Sequence, residues 1–482
     1  MAFFRFVVVV GIALGFFACA VLKKRSDQPQ VMSEVTLDDS IEEAIAGSDF
    51  ELGSWPSYQW WEMFNDDQLS HLMEQAIADN PDLKSAIARV RLAQQQAKEV
   101  RSSLFPHLNL DFKDDYQHLS KDSLYRFPPS RVPAVVNQIF LGLSFEYEID
   151  LFGKNREDYR AALGEFKAQQ AENSQSLLMI TVSFAGAYFA YQTHALQVEL
   201  IEKKVAKKRN YLDLIEKRVQ SGLDDQIAAE DARTDWLIEK EQLAVAKKAV
   251  ALSTNQIKAL LGLSPDDPLV LALPSARFQR PFSLPADLPV ELVARRPDLM
   301  AQIWRVEAAA HRIGAAKAAF FPNINLASFG RLESLSWSTL FTVDSLAGSL
   351  APALSLPLFT GGKLTAALEK ERADFDSAVY NYNALLLKAA REVSDEIKTL
   401  QAVNQQDELQ REVIVDNKHI VHLTLARFDH GLDDWLTALR TEIELIEQAL
   451  IAMDLQYQRH IALLRLIRAL GGGYHQVEVE NG

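Results

Sequence analysis

Aspartates are the residues of this sequence whose spacing could support chemistry. The tetrapeptide Gly-Leu-Asp-Asp occurs twice, at 222–225 and at 431–434. Adjacent carboxylates can attract cations, and they can also accept the free main-chain N–H groups that open a helix. No glycine-rich phosphate loop, HExxH helix or GxSxG motif accompanies them. The sequence therefore predicts no enzyme, with no catalytic, cofactor-binding or metal site, and leaves cation attraction and helix capping as the roles of these aspartates.

A second group of polar side chains follows an alternating pattern. Residues 140–151 place apolar side chains on one face of a predicted strand and Glu146, Glu148 and Asp150 on the other. The segment 107–116 alternates in the same way, with Asn109, Asp111 and Lys113 on its polar face. Two further strands are predicted from Asn323 and from Ser349. Such strands suit a barrel with lipid outside and water inside, where the lumen solvates the charges.

The number of predicted strands limits what one chain can build. Four strands cannot close a barrel that holds water, since even eight leave an interior just wide enough for side chains. Several chains must therefore contribute to the barrel.

Composition excludes several classes of protein. The chain has 482 residues, of which 48% are hydrophobic and 24% charged, with a formal net charge of −15. These values argue against disorder and against binding along a nucleic-acid backbone, which needs basic residues. The single cysteine, Cys19, allows neither a disulfide framework nor a thiolate metal site within one chain.

The N-terminus has the features of an export signal. Arg5 precedes an apolar run over 6–17, which is too short to span a bilayer comfortably, and the small residue Ala18 precedes Cys19. The alternative is a buried core helix. We expect cleavage before Cys19 and acylation of that cysteine.

The tetrapeptides belong to a larger internal duplication. NPDL at 80–83 is matched by RPDL at 296–299, and ALLG at 259–262 is matched by RALG at 468–471. Before the first tetrapeptide, apolar residues recur every 3.5 positions from Leu177 to Val219, which predicts coiled-coil helices of roughly 60 residues and about 90 Å. Gly222 and Gly431 are expected to end these helices at hairpin tips, and the aspartates to cap the helices that follow.

Residues 292–326 together with DLFGK (150–154) and PLFTGG (357–362) resemble the TolC-like outer-membrane factor (outer-membrane efflux protein) family, in its lipoprotein branch. The resemblance covers roughly residues 55–473. It implies a mainly α fold with a membrane β-barrel portion: three chains would form one 12-stranded barrel, continued by an α-helical tunnel across the periplasm. Residues 117–135 and 331–347 would be outward loops.

The expected organisation has six segments. They are a signal peptide (1–18), a lipid-anchored segment (19–65), a first repeat with a helix, two strands and a long helical hairpin (66–263), a linker or equatorial segment (264–290), a second repeat of the same kind (291–471) and a C-terminal tail (472–482).

The resemblance also implies partners and site residues. The partners would be two further copies of the chain, a periplasmic adaptor (membrane-fusion) protein, an inner-membrane pump reached through the adaptor, and outer-membrane lipid. The residues expected to contact the adaptor are Ser221, Gly222, Leu223, His430, Gly431 and Leu432.

The periplasmic entrance departs from the family pattern. Family members often narrow it with aspartates six and nine positions beyond the second tip glycine, where this sequence has Thr437 and Arg440. The acidic residues are concentrated at the tips instead, and Arg440 is a candidate counter-charge. The expected entrance residues are Asp224, Asp225, Asp231, Asp433, Asp434 and Arg440; the alternative is that these aspartates are only solvated helix caps.

The predicted function is an outer-membrane channel of a tripartite efflux or secretion system that exports small molecules. It would be lipid-anchored in the outer membrane and extend into the periplasm. The alternative is a coiled-coil scaffold or adhesin without a channel. A row of lumen carboxylates favours the channel, because a closed scaffold gains nothing from it.

Overall fold

The computed structural model describes residues 28–32, 35–37, 42–43, 50–120, 122, 133–272, 282–285 and 288–474. The predicted signal peptide and Cys19 lie outside the described residues. Most of the tail and part of the 264–290 segment also lie outside them.

Helices account for most of the described chain. Two of them, Lys154–Gln220 and Lys363–Asp429, have 67 residues each, and the helices that follow them, Gln226–Leu260 and Trp435–Ala469, have 35 each. None of the described helices is both long and apolar enough to cross a membrane. A short 3-10 helix covers Trp60–Phe64. The helices are α1 (Asp67–Asp79), α2 (Pro81–Ser102), α3 (Lys154–Gln220), α4 (Gln226–Leu260), α5 (Leu288–Arg295), α6 (Pro297–Ala318), α7 (Lys363–Asp429) and α8 (Trp435–Ala469).

Six strands form two sheets in the described residues. A small parallel pair joins β1 (Phe50–Gly53) to β4 (Phe282–Pro285). The larger sheet is antiparallel, in the order β2-β3-β5-β6. Its strands are β2 (His107–His118), β3 (Val135–Ile149), β5 (Asn323–Ser334) and β6 (Leu346–Ser355). The prediction of a mainly helical chain with four such strands is confirmed.

The register of the larger sheet separates an apolar from a polar face. Phe112 pairs with Leu141, which pairs with Leu332, so these side chains share one face. Asp111 pairs with Gly142 on the opposite face. The strands β2 and β6 are the edges of the sheet, and each pairs on one side only among the residues that the structure describes.

Strand boundaries differ from the sequence prediction. The strand expected from Phe140 begins at Val135, and the strand expected from Ser349 begins at Leu346 and ends before Pro357. Pro352 lies within β6 and pairs in register with Leu326 of β5. The connection between β5 and β6 therefore covers only residues 335–345, rather than 331–347.

The chain divides into two compact units. The first is built from 90–169 and 302–382 and contains the four-stranded sheet. In it, the fully buried Val379 packs with Phe375 and Ala309. The second is built from described residues within 32–89, 170–301 and 383–482 and contains both tetrapeptides.

Candidate functional site

Both tetrapeptides form the same left-handed helix end. Gly222 and Gly431 have a φ of +71°. At the end of α3, Leu223 N donates to the Arg218 carbonyl oxygen at 2.9 Å and Gly222 N to that of Val219 at 2.9 Å. This pair of hydrogen bonds is the Schellman motif, and it satisfies carbonyl groups that a helix end otherwise leaves free. The same two bonds, at 2.8 and 2.9 Å, end α7 at its own tip.

The first aspartate of each tetrapeptide pairs with an arginine. The Nε and Nη2 atoms of Arg218 lie 2.6 and 3.1 Å from the carboxylate oxygens of Asp224. Arg427 and Asp433 repeat this contact at 2.6 and 3.2 Å. The hydrogen bond from the arginine is the main reason that the pKa of each carboxyl lies below its usual value. Both carboxylates are therefore charged at neutral pH.

The second aspartate of each tetrapeptide caps the next helix. Asp225 accepts a hydrogen bond from Ala228 N at 2.9 Å and begins α4. Asp434 accepts from Thr437 N at 2.8 Å and from Thr437 Oγ1 at 2.7 Å and begins α8. The two bonds from Thr437 lower the pKa of the Asp434 carboxyl. Tip aspartates thus have two different roles, ion pairing and N-capping.

Arg440 has a different partner from the one that the sequence suggested. Its Nε and Nη2 atoms donate to the Tyr211 hydroxyl at 3.1 and 2.5 Å, which connects α8 to α3. Its charge acts on Asp434 only as a small contribution to the lowered pKa. The direct counter-charges at the tips are Arg218 and Arg427. Asp231 lies exposed on α4, beyond the tip.

The tips present exposed apolar side chains beside the glycines. Leu223 is 68% exposed and Leu432 is 65% exposed. Ser221 is exposed, and its hydroxyl donates to the Lys217 carbonyl oxygen at 2.9 Å, while His430 is exposed on the other tip. The residues predicted to contact an adaptor therefore form exposed apolar and small surfaces at both tips.

The buried Lys204 forms ion pairs that connect three helices, α3, α4 and α8. Lys204 of α3 lies 2.8 Å from Glu239 Oε2 of α4 and 3.0 Å from Glu447 Oε1 of α8. The side chains of Lys204 and Glu239 are only 9% and 4% exposed. Burial alone would lower the pKa of Lys204, but the hydrogen bonds and charges of the two glutamates outweigh it and raise that pKa. This cluster fixes the two helical hairpins against each other.

The polar face of the sheet brings together most of the predicted lumen residues. Asn109, Asp111 and Lys113 pair with Ser144, Gly142 and Phe140 on β3. Glu146 and Glu148 continue the same face along β3, because side chains two positions apart point to the same side. Lys113 Nζ lies 2.7 Å from Asp115 Oδ2, and Lys154 Nζ lies 3.4 Å from Glu148 Oε1.

Asp150 does not belong to this row in the structure. It lies beyond the last residue of β3, and its carboxylate accepts hydrogen bonds from Asn155 N at 3.2 Å and Arg156 N at 2.9 Å. Asp150 therefore binds the first turn of α3 from a position four residues before the helix begins.

The polar face also contains an arginine, Arg331, that the sequence pattern does not indicate. The Arg331 guanidinium carbon lies 4.4 Å from the Phe140 ring centre and 4.3 Å from that of Phe329. Gly142 makes room for it, since a Cβ there would lie 2.1 Å from the Arg331 Cβ atom. Arg331 Nη2 also donates to Glu333 at 3.1 Å. No sequence signal indicates this contact, because Phe140 and Arg331 are brought together only by the β3–β5 register.

Comparisons with known proteins agree with one another. The sequence model of a family described as outer membrane efflux protein matches residues 72–263 and 288–472. The chain is 29% identical to the multidrug resistance outer membrane protein MdtP of Escherichia coli O6:H1, over 96% of this chain and 94% of that protein. It is 30% identical to MdtQ of Escherichia coli O157:H7, over 87% of this chain and 89% of that protein.

A solved structure extends the similarity to the fold. The outer membrane protein VceC of Vibrio cholerae superposes with a TM-score of 0.78 at 30% identity. The match covers 87% of this chain and 100% of that one.

Proposed function

The chain belongs to the outer membrane efflux protein family, and from that premise we propose that three copies form the outer-membrane duct of a tripartite export system. It is an efflux channel and not an enzyme. One observation carries the proposal: the four-stranded sheet has an apolar face, a polar face and two edges that no other described strand of the chain pairs with.

The unpaired edges support assembly into a closed barrel. Main-chain N–H and C=O groups that face lipid without a partner cost several kcal/mol each, so open sheet edges do not occur there. Pairing β6 of one copy with β2 of the next satisfies both edges. Three copies of four strands give a 12-stranded barrel, with Leu108, Leu110, Leu350 and Leu354 facing lipid and the polar row facing the lumen.

The two tips support docking of a periplasmic adaptor, and through it an inner-membrane pump. Leu223 and Leu432 are exposed, and the adjacent glycines fix the main chain in one shape. Such small apolar surfaces suit a protein partner better than a soluble ligand. Crosslinks from the adaptor to the strand loops, instead of to the tips, would contradict this docking mode.

The tip aspartates support a cation-attracting entrance. Three chains would gather twelve of them, four from each chain, around one mouth. Arg218 and Arg427 each pair with one aspartate per tip, and Asp225 and Asp434 cap the helices that follow. The proposed entrance therefore attracts cations and responds to divalent ions.

Planar-bilayer recording of the purified protein tests the channel. A duct gives discrete conductance steps, whereas a scaffold or adhesin gives none. Replacing Asp224, Asp225, Asp433 and Asp434 by Asn retains most capping ability and removes the charge. We expect weaker cation preference and weaker divalent block, while Asp213→Asn, which changes an exposed carboxylate of α3 paired with Arg209, serves as the matched control. If conductance, cation preference and divalent block were unchanged in this quadruple variant, ion pairing and helix capping would be the only roles of these aspartates.

We also propose that Cys19 is acylated. Acylation would add a second membrane anchor to the barrel. Cys19→Ser should lower the mass of the mature chain by the acyl groups and weaken its retention in the membrane fraction. An unaltered mass and fractionation would rule the modification out.

A further inference from the structure

The loop between β5 and β6, residues 335–345, has an unusual composition for a segment at the end of a membrane strand pair. From Ser334 to Val343 the sequence is SLSWSTLFTV, and Asp344 is the only charged residue of the loop. Apolar and hydroxyl-bearing residues alternate within it. A loop extending into water has no need of five apolar side chains in ten positions.

The hydroxyl groups of this loop bond within the loop itself. Ser334 Oγ lies 2.6 Å from Thr339 Oγ1, and Ser345 Oγ donates to the Thr339 carbonyl oxygen at 2.6 Å. Thr342 Oγ1 donates to the same carbonyl at 2.7 Å, and Ser336 Oγ lies 2.8 Å from Ser338 Oγ. The main-chain N–H groups of Ser336 and Ser338 donate to hydroxyl groups of the same loop, at 3.2 and 3.3 Å. The hydroxyl groups of the loop therefore have partners within it, which lowers the cost of moving them out of water.

The loop also folds back onto the apolar face of the sheet. The Trp337 ring centre lies 6.0 Å from that of Phe112, which shares its face with Leu141. Ile139, on the same face, and Leu340 of the loop are both fully buried. The loop therefore covers the end of the face that the barrel proposal assigns to lipid.

The outer surface of the folded loop is itself apolar. Phe341 is 74% exposed and Val343 is 88% exposed, and Leu335 and Trp337 are also more than half exposed. These side chains continue the exposed apolar surface of Leu346 and Leu350 on β6. An apolar surface of this extent requires a partner.

We propose that residues 335–343 insert into the interfacial part of the outer leaflet, with the exposed Asp344 on the water-facing side, and that acyl chains of outer-membrane lipid cover Phe341, Val343 and Trp337. This rests on the proposed orientation of the barrel, with its apolar face toward lipid. Lipid is the partner, rather than a second copy of the chain, because copies meet along the β2 and β6 edges, whereas the loop lies over the face of the sheet. Trp337 beside Phe112 suits the membrane–water interface, where tryptophan is enriched.

Site-directed spin labelling in reconstituted membranes tests the insertion. Since Cys19 is the only cysteine, a Cys19→Ser background leaves each introduced cysteine as the single label site. Phe341→Cys and Val343→Cys report on the loop, and both side chains are exposed, so their replacement does not disturb packing. Leu350→Cys on β6 is the lipid reference, and the exposed Ser120→Cys after β2 is the water reference.

The readout is the ratio of collisions with oxygen, which dissolves in lipid, to collisions with a water-soluble nickel chelate. We expect ratios at 341 and 343 within about twofold of that at 350, and roughly fivefold or more above that at 120. Water-like ratios at 341 and 343 with a lipid-like ratio at 350 would overturn the insertion and leave the barrel proposal intact. Protection from both reagents at 341 and 343 would mean that protein covers the loop, which also overturns it. A water-like ratio at 350 would overturn the barrel orientation, and the insertion with it.

Discussion

The Nη1 atom of Arg296 donates a hydrogen bond to the main-chain carbonyl oxygen of Ala469 at 3.1 Å and so joins the start of α6 to the end of α8. The same guanidinium lies 2.7 Å from Asp298 Oδ2 and 3.0 Å from Glu392 Oε2. Burial alone would lower the pKa of Arg296, but both carboxylates outweigh it and raise that pKa. In the NPDL segment, Asn80 Nδ2 makes the corresponding contact to the Leu260 carbonyl oxygen at 2.9 Å.

Replacing Arg296 by Met should destabilise the protein strongly. The change leaves two carboxylates and a helix-end carbonyl without their donor, and breaking a buried ion pair costs about 3–5 kcal/mol of the free energy of unfolding. Arg296→Lys keeps the charge but lacks the planar guanidinium that donates to several acceptors at once. We therefore expect an intermediate loss of the free energy of unfolding. Denaturant unfolding of the solubilised protein measures both. Arg391→Met, at an exposed arginine 3.8 Å from Asp395, is the control and should change little.

Removing the charge of the buried Lys204 should also destabilise the protein. Lys204→Met leaves Glu239 buried beside an apolar side chain and should cost about 3–5 kcal/mol. The double variant Lys204→Met/Glu239→Leu removes both charges, and should recover most of that loss because apolar replacements of buried pairs are often neutral. Thermal unfolding compares the three proteins. A double variant no more stable than Lys204→Met would show that packing, rather than an unpaired charge, determines the cost.

The tip glycines should tolerate Asn but not Val. A Cβ at Gly222 or Gly431 would meet no atom within 4 Å, so any effect comes from the left-handed main chain alone. That conformation costs a β-branched residue about 1–3 kcal/mol, whereas Asn adopts it readily. We expect Gly222→Val and Gly431→Val to reduce crosslinking to the adaptor severalfold, and the Asn variants to remain near wild type. If the Val and Asn variants crosslinked equally well, adaptor docking would not depend on the left-handed shape of the helix cap.

Divalent block at the tips should not depend on pH in the neutral range. Hydrogen bonds from Arg218, Arg427 and Thr437 lower the pKa values of Asp224, Asp433 and Asp434. An aspartate with a lowered pKa stays ionised until the pH falls below about 4, and the stability that it contributes is lost only as the pH falls through that lowered value. Block by a divalent cation should therefore be constant from pH 7 to pH 5. If the divalent block weakened between pH 7 and pH 5, groups other than these aspartates would be responsible for it.

His460 should make the second unit less stable in mild acid. Burial is the main cause of its lowered pKa, and the charge of Arg459 adds to it. Its Nδ1 atom lies 2.7 Å from the Gln456 carbonyl oxygen and its ring centre 4.5 Å from that of Phe189. Below the unfolded pKa of about 6.5, the unfolded chain binds the proton first, so stability falls by up to about 1.4 kcal/mol per pH unit until the folded pKa is reached.

The matching experiment compares unfolding at pH 7.5 and pH 5.5. His460→Gln should flatten the dependence of the unfolding midpoint on pH. The exposed His71→Gln on α1 should leave it unchanged. An equal pH dependence in both variants would place the acid sensitivity elsewhere.

Local patterns in the sequence predicted the tips and the strands because their causes are local. A helix end at Gly222 needs only a residue that accepts a positive φ, and β3 follows from alternation along a single segment. The ion pairs at the tips could also have been predicted. Arginine precedes each tip glycine by four residues, in RVQSGLDD and in RFDHGLDD, so the repeated pattern includes the counter-charge.

Contacts between distant segments could not be predicted in this way. Arg440 and Tyr211 are 229 residues apart, and only the packing of α8 against α3 brings them together. Asp150 continues the strand alternation in sequence, yet the start of α3 competes for its carboxylate and ends the strand at Ile149. The fold of the β5–β6 loop depends on hydroxyl groups that meet only after the chain has turned back on the sheet.

The unpaired edges of β2 and β6 have a genetic consequence. In a ring of three copies each chain pairs both of its edge strands with its neighbours. One chain with a blocked edge therefore prevents the barrel from closing. If half of the chains in a cell carry such a defect and mix at random, about one ring in eight remains intact. A proline placed to block hydrogen bonding along β2 should therefore act as a dominant inhibitor of export, even beside a normal copy of the gene.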